Sequence, residues 1–276
     1  MLPIATKSTY LLNQQLFMKI FDSHCHLDDN RFNADLDDVI DRAHKAQVKA
    51  VMIAGINLKT SQKAIRIANS HKNIYAAVGV HPHDVKNCQF NIIDRLKRLT
   101  KDPKVVGWGE IGLDFNRMYS SKEMQENWFI QQLQIADELG LPLIFHERDS
   151  QGRLIELLKH YPNSHRKAVV HCFSGSENEL KTYLEMGFYI GITGIITIKK
   201  RGQTLRQLAP MIPAERLLVE TDAPYLTPAP HKNKIRRNEP AFVREVLLTL
   251  SEVRQEDPEK LANLIWNNTC KLFNIS

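Results

Sequence analysis

Residues 19–27 read KIFDSHCHL, a short apolar run that ends in two histidines. Seven further short apolar runs rich in β-branched residues follow it along the chain. Such runs, bounded by turn residues, are typical of buried β-strands. We therefore predict eight strands, at Lys19–Ser23, Ala50–Ala54, Tyr75–Val80, Val105–Glu110, Leu141–Phe145, Ala168–His171, Phe188–Ile192 and Leu217–Thr221.

Helical patterns separate the predicted strands. Between the first two strands, an apolar stripe with helical spacing is formed by Leu36, Val39, Ile40 and Ala43. Ser176 with Glu179 reads as a capping box at the start of a later helix. After the last strand, residues 242–250 and 258–273 predict two final helices. Helices of this kind would cover the faces of a sheet.

Strict alternation of strands and helices predicts parallel strands joined by right-handed crossovers. Eight such units in roughly 250 residues match a single-domain α/β protein, the (β/α)8 TIM barrel. An open doubly wound sheet is the alternative, but no Gly-rich phosphate-binding turn follows the first strand. We expect an N-terminal extension at residues 1–18 and one barrel domain, a metal-dependent hydrolase, over residues 19–276.

Composition favours an ordinary globular protein with anionic partners. The 276 residues are 43% hydrophobic and 25% charged, and 37 Lys and Arg exceed 31 Asp and Glu to give a net charge of +6. This small excess of positive charge favours anionic partners such as nucleic acids, but it is equally compatible with a solvated basic surface.

Cysteine spacing and hydropathy predict the cellular context. The four cysteines form no CxxC pair, which argues against a zinc knuckle or a disulfide framework; they are Cys25, Cys88, Cys172 and Cys270. No apolar run approaches the roughly 20 residues that span a bilayer. We therefore expect a cytoplasmic protein with no membrane partner, and we favour a monomer.

Potential metal ligands occur where the predicted strands end. In a barrel of this kind, chemistry takes place at the carboxyl ends of the strands. The candidates there are His24, His26, His81, Glu110, His146, His171 and Asp222. Burying so many polar groups at one barrel mouth costs several kcal/mol unless something binds them. Imidazole and carboxylate together suit zinc, manganese, cobalt or iron.

Residues next to the candidate ligands have other expected roles. Because side chains alternate across a strand, His24 and His26 share one face while Cys25 points to the other. Asp22 is expected to support a ligand or to pack within the strand. Glu220 is either a ligand of a third ion or a buried structural carboxylate.

Six motifs in order resemble the TatD family of metal-dependent deoxyribonucleases, which are amidohydrolase-like barrel hydrolases. They are DSHCHL (22–27), GVHP (79–82), GEIGLDF (109–115), HERD (146–149), HCFSG (171–175) and ETDAPYL (220–226). The resemblance runs from about Lys19 to Phe273. It implies a deoxyribonuclease, most simply a 3′–5′ exonuclease that acts on DNA strands or their 3′ ends.

The resemblance also implies roles for the candidate residues. Two divalent ions are expected, and the sequence leaves zinc, manganese, magnesium, cobalt and iron open as their identity. The implied ligands are His24, His26 and Asp222 for the first ion, His146 and His171 for the second, and Glu110 as a bridge. The resemblance associates His81 with activity at the scissile phosphate, although His81 could equally be a structural histidine beside Pro82. Our predicted mechanism adds Asp222 as the base and Glu110 as a further catalytic group, around a metal-activated water.

Basic residues near the mouth are candidates for substrate binding. Arg148, two residues after His146, is expected to clamp a phosphate or to form a salt bridge at the barrel rim. Residues 230–240 read PHKNKIRRNEP where the family has approximately PHRGKxNxP, and Lys232 and Lys234 are our candidates there. Arg236 and Arg237 lie in the same loop.

Two other functions stay open at this level. A barrel with an activated water could instead hydrolyse a small amide, ester or lactone. Alternatively, the barrel could bind nucleic acid without catalysis.

Overall fold

The computed structural model describes residues 18–88 and 91–276. Eight strands form one sheet in chain order, and each successive pair is parallel. The strands are β1 (Ile20–Cys25), β2 (Val48–Ala54), β3 (Ile74–Val78), β4 (Val105–Asp114), β5 (Leu143–Arg148), β6 (Ala168–His171), β7 (Tyr189–Ile192) and β8 (Leu217–Val219).

Helices connect the strands and complete a (β/α)8 barrel. Over the described residues they are α1 (Leu36–Lys45), α2 (Leu58–Ser70), α3 (Ile92–Leu99), α4 (Lys122–Leu139), α5 (Arg153–His160), α6 (Glu177–Glu185), α7 (Gln203–Leu208), α8 (Val243–Arg254) and α9 (Pro258–Phe273). The capping box predicted at Ser176 and Glu179 begins α6, and both of its hydrogen bonds are formed. The predicted fold class is confirmed.

The barrel closes between β1 and the segment that follows β8. The backbone N–H of Asp222 donates to the carbonyl of His24 at 2.9 Å, and the N–H of His26 donates to the carbonyl of Ala223 at 2.7 Å. The Ser23 hydroxyl adds a bond to the carbonyl of Val219 at 3.1 Å. These bonds draw the first strand and the last loop together at the mouth.

Alternate strand residues form two separate apolar clusters. One cluster contains strand residues and the residues of the helices, so it fills the layer between barrel and helices. The other contains strand residues and the end of α9, so it fills the barrel interior; it includes Phe21, Ala50, Met52, Ala77, Ile144, Val169, Tyr189, Leu218, Leu272 and Phe273. The interior is therefore apolar at the end covered by α9.

Toward the mouth, the interior positions change from apolar to polar. His146 comes two residues after Ile144, and His171 comes two residues after Val169, so both side chains continue the interior face. Glu220, two residues after Leu218, does the same. Strand periodicity alone therefore aims these groups at one space.

Register irregularities set the interior face of β1 and β4. The pairing of β1 with β2 shifts between Asp22 and Cys25. The pairing of β4 with β5 shifts between Trp108 and Ile111, so that Glu110 lies next to the shift. A shift of this kind changes which residues face inward.

The bounds of several predicted strands differ from those observed. β4 continues to Asp114 and β5 to Arg148, so Glu110 lies within a strand rather than at its end. The reason is a close approach: a Cβ on Gly112, whose φ is +149°, would overlap the carbonyl oxygen of His146. Glycine removes this barrier, and the two strands stay paired beyond the predicted end.

The predicted extension at residues 1–18 lies outside the described residues except for Met18, which is buried. Within the part of the chain that the structure describes, no helix is long and apolar enough to cross a membrane. All four cysteines are free thiols.

Replacement of Gly112 by alanine tests this close approach. We expect Gly112→Ala to lower the free energy of unfolding by about 3 kcal/mol or more, because strain and atomic overlap add together. Gly140→Ala is the matched control: its φ is +63°, and nothing lies within 4 Å of its added Cβ. That control should cost about 1–2 kcal/mol. Equal losses in urea unfolding would contradict the packing described between β4 and β5.

Candidate active site

The carboxylate of Glu110 lies at the centre of the barrel mouth. It is 2% exposed and lies within 4.0 Å of all five histidines predicted at strand ends. The nearest contact joins His146 Nδ1 to Glu110 Oε1 at 2.6 Å. The structure therefore brings together side chains from six strands or strand ends, as the sequence predicted.

Four potential ligand atoms, from His24, His26, Glu110 and Asp222, lie close together at the mouth. His24 Nε2 lies 3.3 Å from His26 Nε2 and 3.3 Å from Glu110 Oε2. Asp222 Oδ1 lies 3.3 Å from His26 Nε2 and 3.8 Å from His24 Nε2, and His26 Nε2 lies 3.7 Å from Glu110 Oε2. Ligands about 2.1 Å from one tetrahedral ion lie about 3.4 Å apart. The residues present therefore fit a divalent metal ion.

The tautomer of His26 agrees with this fit. Its Nδ1 lies 2.9 Å from the carbonyl oxygen of Ala54, and a carbonyl can only accept, so Nδ1 carries the proton in the neutral ring. The lone pair on Nε2 then points at Asp222 and Glu110, whose oxygens are also acceptors. A cation between these atoms would satisfy all of them.

A second group of ligand atoms is less regular. Atoms of Glu110, His146 and His171 lie within 4.8 Å of one another. However, His146 uses both ring nitrogens on carboxylates, Nδ1 on Glu110 at 2.6 Å and Nε2 on Asp114 at 3.3 Å. One of these contacts must be exchanged before His146 can bind an ion.

Glu220 supports His171 and the loop that follows it. Its Oε1 lies 2.8 Å from His171 Nδ1 and accepts the backbone N–H of Cys172 at 2.6 Å. Its Oε2 accepts the hydroxyl of Ser23 at 3.3 Å. Gly191 leaves the space, because a Cβ there would lie 2.7 Å from the Glu220 carboxylate. Glu220 also falls within a possible ligand group with His24 and His171.

Asp22 fixes the loop that carries Asp222. Its carboxylate accepts the backbone N–H of Thr221 at 2.8 Å and the Thr221 hydroxyl at 2.6 Å. Complete burial raises the pKa of Asp22 to about 8, against the lowering effect of the Thr221 bonds. This is the supporting position that the sequence suggested.

His81 is arranged to donate a hydrogen bond rather than to bind a metal. Its Nδ1 accepts the backbone N–H of His83 at 3.0 Å, so the proton of the neutral ring lies on Nε2. That Nε2 lies 3.5 Å from Glu110 Oε1. Burial, reinforced by His146, lowers the pKa of His81 to about 4. A neutral donor therefore lies at the edge of the ligand cluster.

Charge balance at the centre favours ionised carboxylates. Burial alone would raise the pKa of Glu110, but the surrounding imidazoles of His81, His24 and His171 hold it well below its usual range. For Asp222, burial is likewise outweighed by His26 and its neighbours, so its pKa is lowered. A buried carboxylate and a partly buried one therefore face a ring of imidazoles.

A basic cleft begins beside the loop after β8. It has a volume of about 580 Å³ and is lined by Ile195, Ile198, Arg201, Leu226, Thr227, Lys232, Asn233, Lys234, Ile235 and Arg236. Across the described residues, no carboxylate lies within ion-pair distance of Lys232, Lys234 or Arg236. Their charges are available to an anionic ligand.

Arg237 has a different role from its neighbours. Its guanidinium donates to both oxygens of Asp35 at 2.7 Å and to Glu239 Oε1 at 2.8 Å. It also bonds to the carbonyl of Arg31 at 2.6 Å. Of the four cations considered in this loop, Arg237 is therefore structural.

Arg148 continues the interior face of β5 at the mouth. It pairs with Asp114 in the register of β4 and β5, and its backbone carbonyl accepts the N–H of Phe115 at 2.9 Å. Among the residues that the structure describes, its guanidinium has no carboxylate within ion-pair distance. The rim salt bridge considered from the sequence is not formed there.

Comparison with known proteins identifies the family. The family model described as TatD related DNase matches residues 21–274. Two curated relatives, each named 3′-5′ ssDNA/RNA exonuclease TatD, come from Escherichia fergusonii and Escherichia coli strain K12. They are 42% and 41% identical to this chain over 259 residues, which are 93% of this chain and 100% of each relative. This chain belongs to the family of TatD-related DNases.

Solved structures agree with this assignment. The TatD homologue YjjV of Escherichia coli K12 has a TM-score of 0.87 and 30% identity, over 95% of this chain and 100% of that chain. A TatD family hydrolase of Entamoeba histolytica has a TM-score of 0.85 and 27% identity, with the same coverage. This chain is thus a hydrolytic nuclease of a metal-dependent family. The two alternatives, hydrolysis of a small amide, ester or lactone and nucleic acid binding without catalysis, are therefore not supported.

Sequence reasoning missed two groups of this TatD-family site. His83 Nε2 lies 2.6 Å from Asp114 Oδ2, and Asp114 also contacts His146. Ligand atoms of His81, His83 and His146 lie within 4.8 Å of one another. The signal was available, because Asp114 lies four residues after Glu110 on one strand, and His83 lies two residues after His81.

The cysteines beside the ligands are not in the ligand groups. Cys25 is fully buried in the layer between barrel and helices, where its thiol donates to the carbonyl of Met52 at 3.4 Å. Cys172 contacts the hydroxyl of Thr193 at 3.5 Å. Cys25 thus faces away from His24 and His26, as strand alternation predicted.

The contrast between Arg237 and Arg236 can be tested. We expect Arg237→Ala to lower the free energy of unfolding by about 1–2 kcal/mol, because it breaks a partly buried ion-pair network. Arg236→Ala should change stability by less than about 0.5 kcal/mol and should weaken nucleic acid binding. Urea unfolding and binding at several salt concentrations measure the two effects.

The pH dependence of that stability difference provides a control. Arg237, helped by Arg42, lowers the pKa of Asp35 from the ordinary 3.8 to about 2. The contribution is therefore complete above the ordinary value and declines as pH falls toward 2. A difference between wild type and Arg237→Ala that grew on acidification would contradict this network.

Proposed function

We propose that this TatD-family nuclease removes nucleotides from the 3′ ends of single-stranded DNA, and of RNA, with the help of two divalent ions. The observation that carries the proposal is the close set of His24, His26, Asp222 and Glu110 atoms at a mouth that also offers His81. The names of the relatives at 41–42% identity support the substrate and the direction of cleavage. A cytoplasmic location and a monomeric state stay predictions.

The ligands divide into two sets that share Glu110. His24, His26 and Asp222 would hold the first ion and His146 and His171 the second, with Glu110 shared between the two sets. Bound divalent ions supply Lewis acidity toward phosphoryl oxygens and make a water molecule more acidic. The first set needs no change of partners, whereas the second requires His146 to exchange a carboxylate contact, so the first ion would bind more tightly.

Residues of the chain supply the remaining chemistry. His81 Nε2–H donates a hydrogen bond to a non-bridging oxygen of the scissile phosphate, where negative charge accumulates during attack. Asp222, whose side chain is 15% exposed, accepts the proton of the attacking water. Glu110 holds both ligand sets at a fixed separation.

Basic residues attract and orient the strand. Arg148 clamps a phosphate near the scissile one, since its planar guanidinium can donate two parallel hydrogen bonds. Lys232 and Lys234 contact the backbone of the strand along the basic cleft, together with Arg236. Contacts of this kind do not depend on sequence and weaken as salt rises.

Replacement of Asp222 by asparagine tests its two roles. We expect Asp222→Asn to lower kcat by about 10²–10⁴-fold, because the amide neither accepts the proton nor carries the ligand charge. The barrel should stay folded, as circular dichroism will show. Cys25→Ser, between the two histidine ligands but facing the helices, is the control and should keep most activity. Normal turnover of Asp222→Asn would reject the mechanism.

The direction of cleavage is tested with end-labelled strands. A 5′-labelled single-stranded DNA should give a ladder that shortens with time, and a 3′-labelled one should release mononucleotide at once. The same preparation, stripped by a chelator, should be inactive and should regain activity when a divalent ion is added. Cleavage of circular single-stranded DNA, or a ladder that shortens from the 5′ end, would reject the exonuclease.

A further inference from the structure

A second recess lies beside His26, on the side of the mouth formed by the segments after β1 and β2. It has a volume of about 220 Å³ and is lined by His26, Asp28, Asp29, Asn30, Ile56, Asn57, Lys59, Thr60, Lys63 and Tyr225. Pockets for drug-sized ligands are larger, roughly 300–1,000 Å³. The recess therefore has room for one sugar with part of its base, directly next to a predicted metal ligand.

Asp28, which lines this recess, has a carboxylate with one unpaired oxygen. Asp28 is 5% exposed, and its buried Oδ1 has no hydrogen-bond partner among the described residues. A buried acceptor without a donor costs about 1–3 kcal/mol, so a ligand that brings a donor recovers that energy. A carboxylate can only accept, so the missing group is a hydroxyl or an N–H.

The neighbouring residues leave the Asp28 side chain available. Lys63 Nζ bonds to the backbone carbonyl of Asp28 at 2.6 Å and to Asn33 Oδ1 at 2.6 Å, rather than to the Asp28 carboxylate. Asp29 differs, because its two oxygens are bonded by the guanidinium of Arg31 at 2.9 and 2.8 Å. Of these two adjacent aspartates, the buried one is unpaired and the more exposed one is paired.

Tyr225 provides an apolar wall for the recess. Its side chain is 48% exposed, the guanidinium of Arg31 lies 4.5 Å from its ring centroid, and its ring meets the His26 ring edge-on at 6.1 Å. Its backbone is fixed, because its N–H donates to the carbonyl of Asp222 at 2.8 Å. The wall is therefore held in place against the ligand cluster.

Asp28 does not belong to the metal centre. Four groups of histidine and carboxylate side chains among the described residues could hold an ion, and Asp28 is in none of them. The carboxylate therefore requires a different partner, and the position of the recess beside His26 points to the substrate.

We propose that this recess holds the sugar of the 3′-terminal nucleotide, whose free 3′-hydroxyl donates a hydrogen bond to the Asp28 carboxylate. The inference rests on the proposed exonuclease function and explains why cleavage starts at an end. In 3′–5′ hydrolysis, the scissile phosphate is attached to the 5′ oxygen of the last nucleotide. The last sugar thus lies on one side of the ligand cluster, next to His26, while the remaining strand leaves along the basic cleft.

The test combines a change in the protein with a change in the substrate. Single-stranded DNA ending in a 3′-hydroxyl is compared with the same strand ending in a 3′-deoxy sugar, for wild type, Asp28→Ala, Asp28→Asn and Asp29→Ala. The measured quantity is the ratio of kcat/KM for the two strands. For wild type, kcat/KM should be about tenfold or more higher for the strand that ends in a 3′-hydroxyl, since the hydrogen bond from that hydroxyl has a charged acceptor.

The variants should change that ratio differently. Asp28→Ala should reduce the ratio to about 1, and Asp28→Asn, which keeps a neutral acceptor, should retain an intermediate preference. Asp29→Ala should keep the wild-type ratio, because its carboxylate is already bonded by Arg31. Bound-metal content should be the same in Asp28→Ala as in wild type.

A binding measurement gives the same comparison when a variant has no activity. Fluorescence anisotropy with the two strands, carried out on Asp222→Asn with and without Asp28→Ala, gives the same ratio without turnover. A preference for the 3′-hydroxyl that survives in Asp28→Ala overturns the inference. Equal cleavage of the two strands by wild type also overturns the inference, but it leaves the proposed exonuclease function unaffected. Absence of any cleavage by wild type rejects the proposed function itself.

Discussion

Two backbone hydrogen bonds across the closure of the barrel fix the position of the whole centre. They join Asp222 to His24 and His26 to Ala223, at 2.9 and 2.7 Å. The same closure is reinforced by Asp22, which holds Thr221 with two short bonds. Because the candidate ligand nitrogens of the first strand and the candidate ligand oxygen after the last strand are placed by these bonds, a change of a few ångströms there would separate His24 and His26 from Asp222.

The remaining ligands depend on strand periodicity. Interior positions are apolar near α9, where Phe21 and Ile144 pack with their neighbours, and they become imidazole or carboxylate two residues later on several strands. The apolar packing near α9 stabilises the barrel, and the polar residues at the mouth form the candidate active site. Such a concentration of buried polar groups is costly in isolation, and a bound cation would offset the cost. Supporting carboxylates at Asp22 and Glu220 then keep the rings and loops in place.

Strand order and the convergence of the candidate side chains could be predicted from the sequence, because both follow from short-range periodicity and from the rule that barrel sites lie at strand ends. All eight strands were predicted. His24 and His26 lie within 4.0 Å of Glu110, and Asp222 lies within 4.0 Å of both histidines. Metal binding by these side chains stays a prediction. The lengths of β4 and β5 were not predictable in this way. They depend on how closely two backbones approach at Gly112, which is a property of the pair and not of either strand.

Contacts between residues distant in the chain could not be predicted from the sequence either. Arg237 is one of four basic residues in the loop considered for phosphate contact, but its guanidinium is bonded by Asp35, about 200 residues earlier. His83 and Asp114 meet only because β3 and β4 are neighbours with a particular register. The unpaired oxygen of Asp28 can be identified only when all possible donors around it are known.

Anomalous diffraction from crystals grown with manganese or zinc tests the central claim most directly. The account predicts two peaks at the barrel mouth, a stronger one between His24, His26 and Asp222 and a weaker one beside His146 and His171, with the Glu110 carboxylate between them. Absence of a peak between the two imidazoles of β1 and the carboxylate of Asp222 would contradict it.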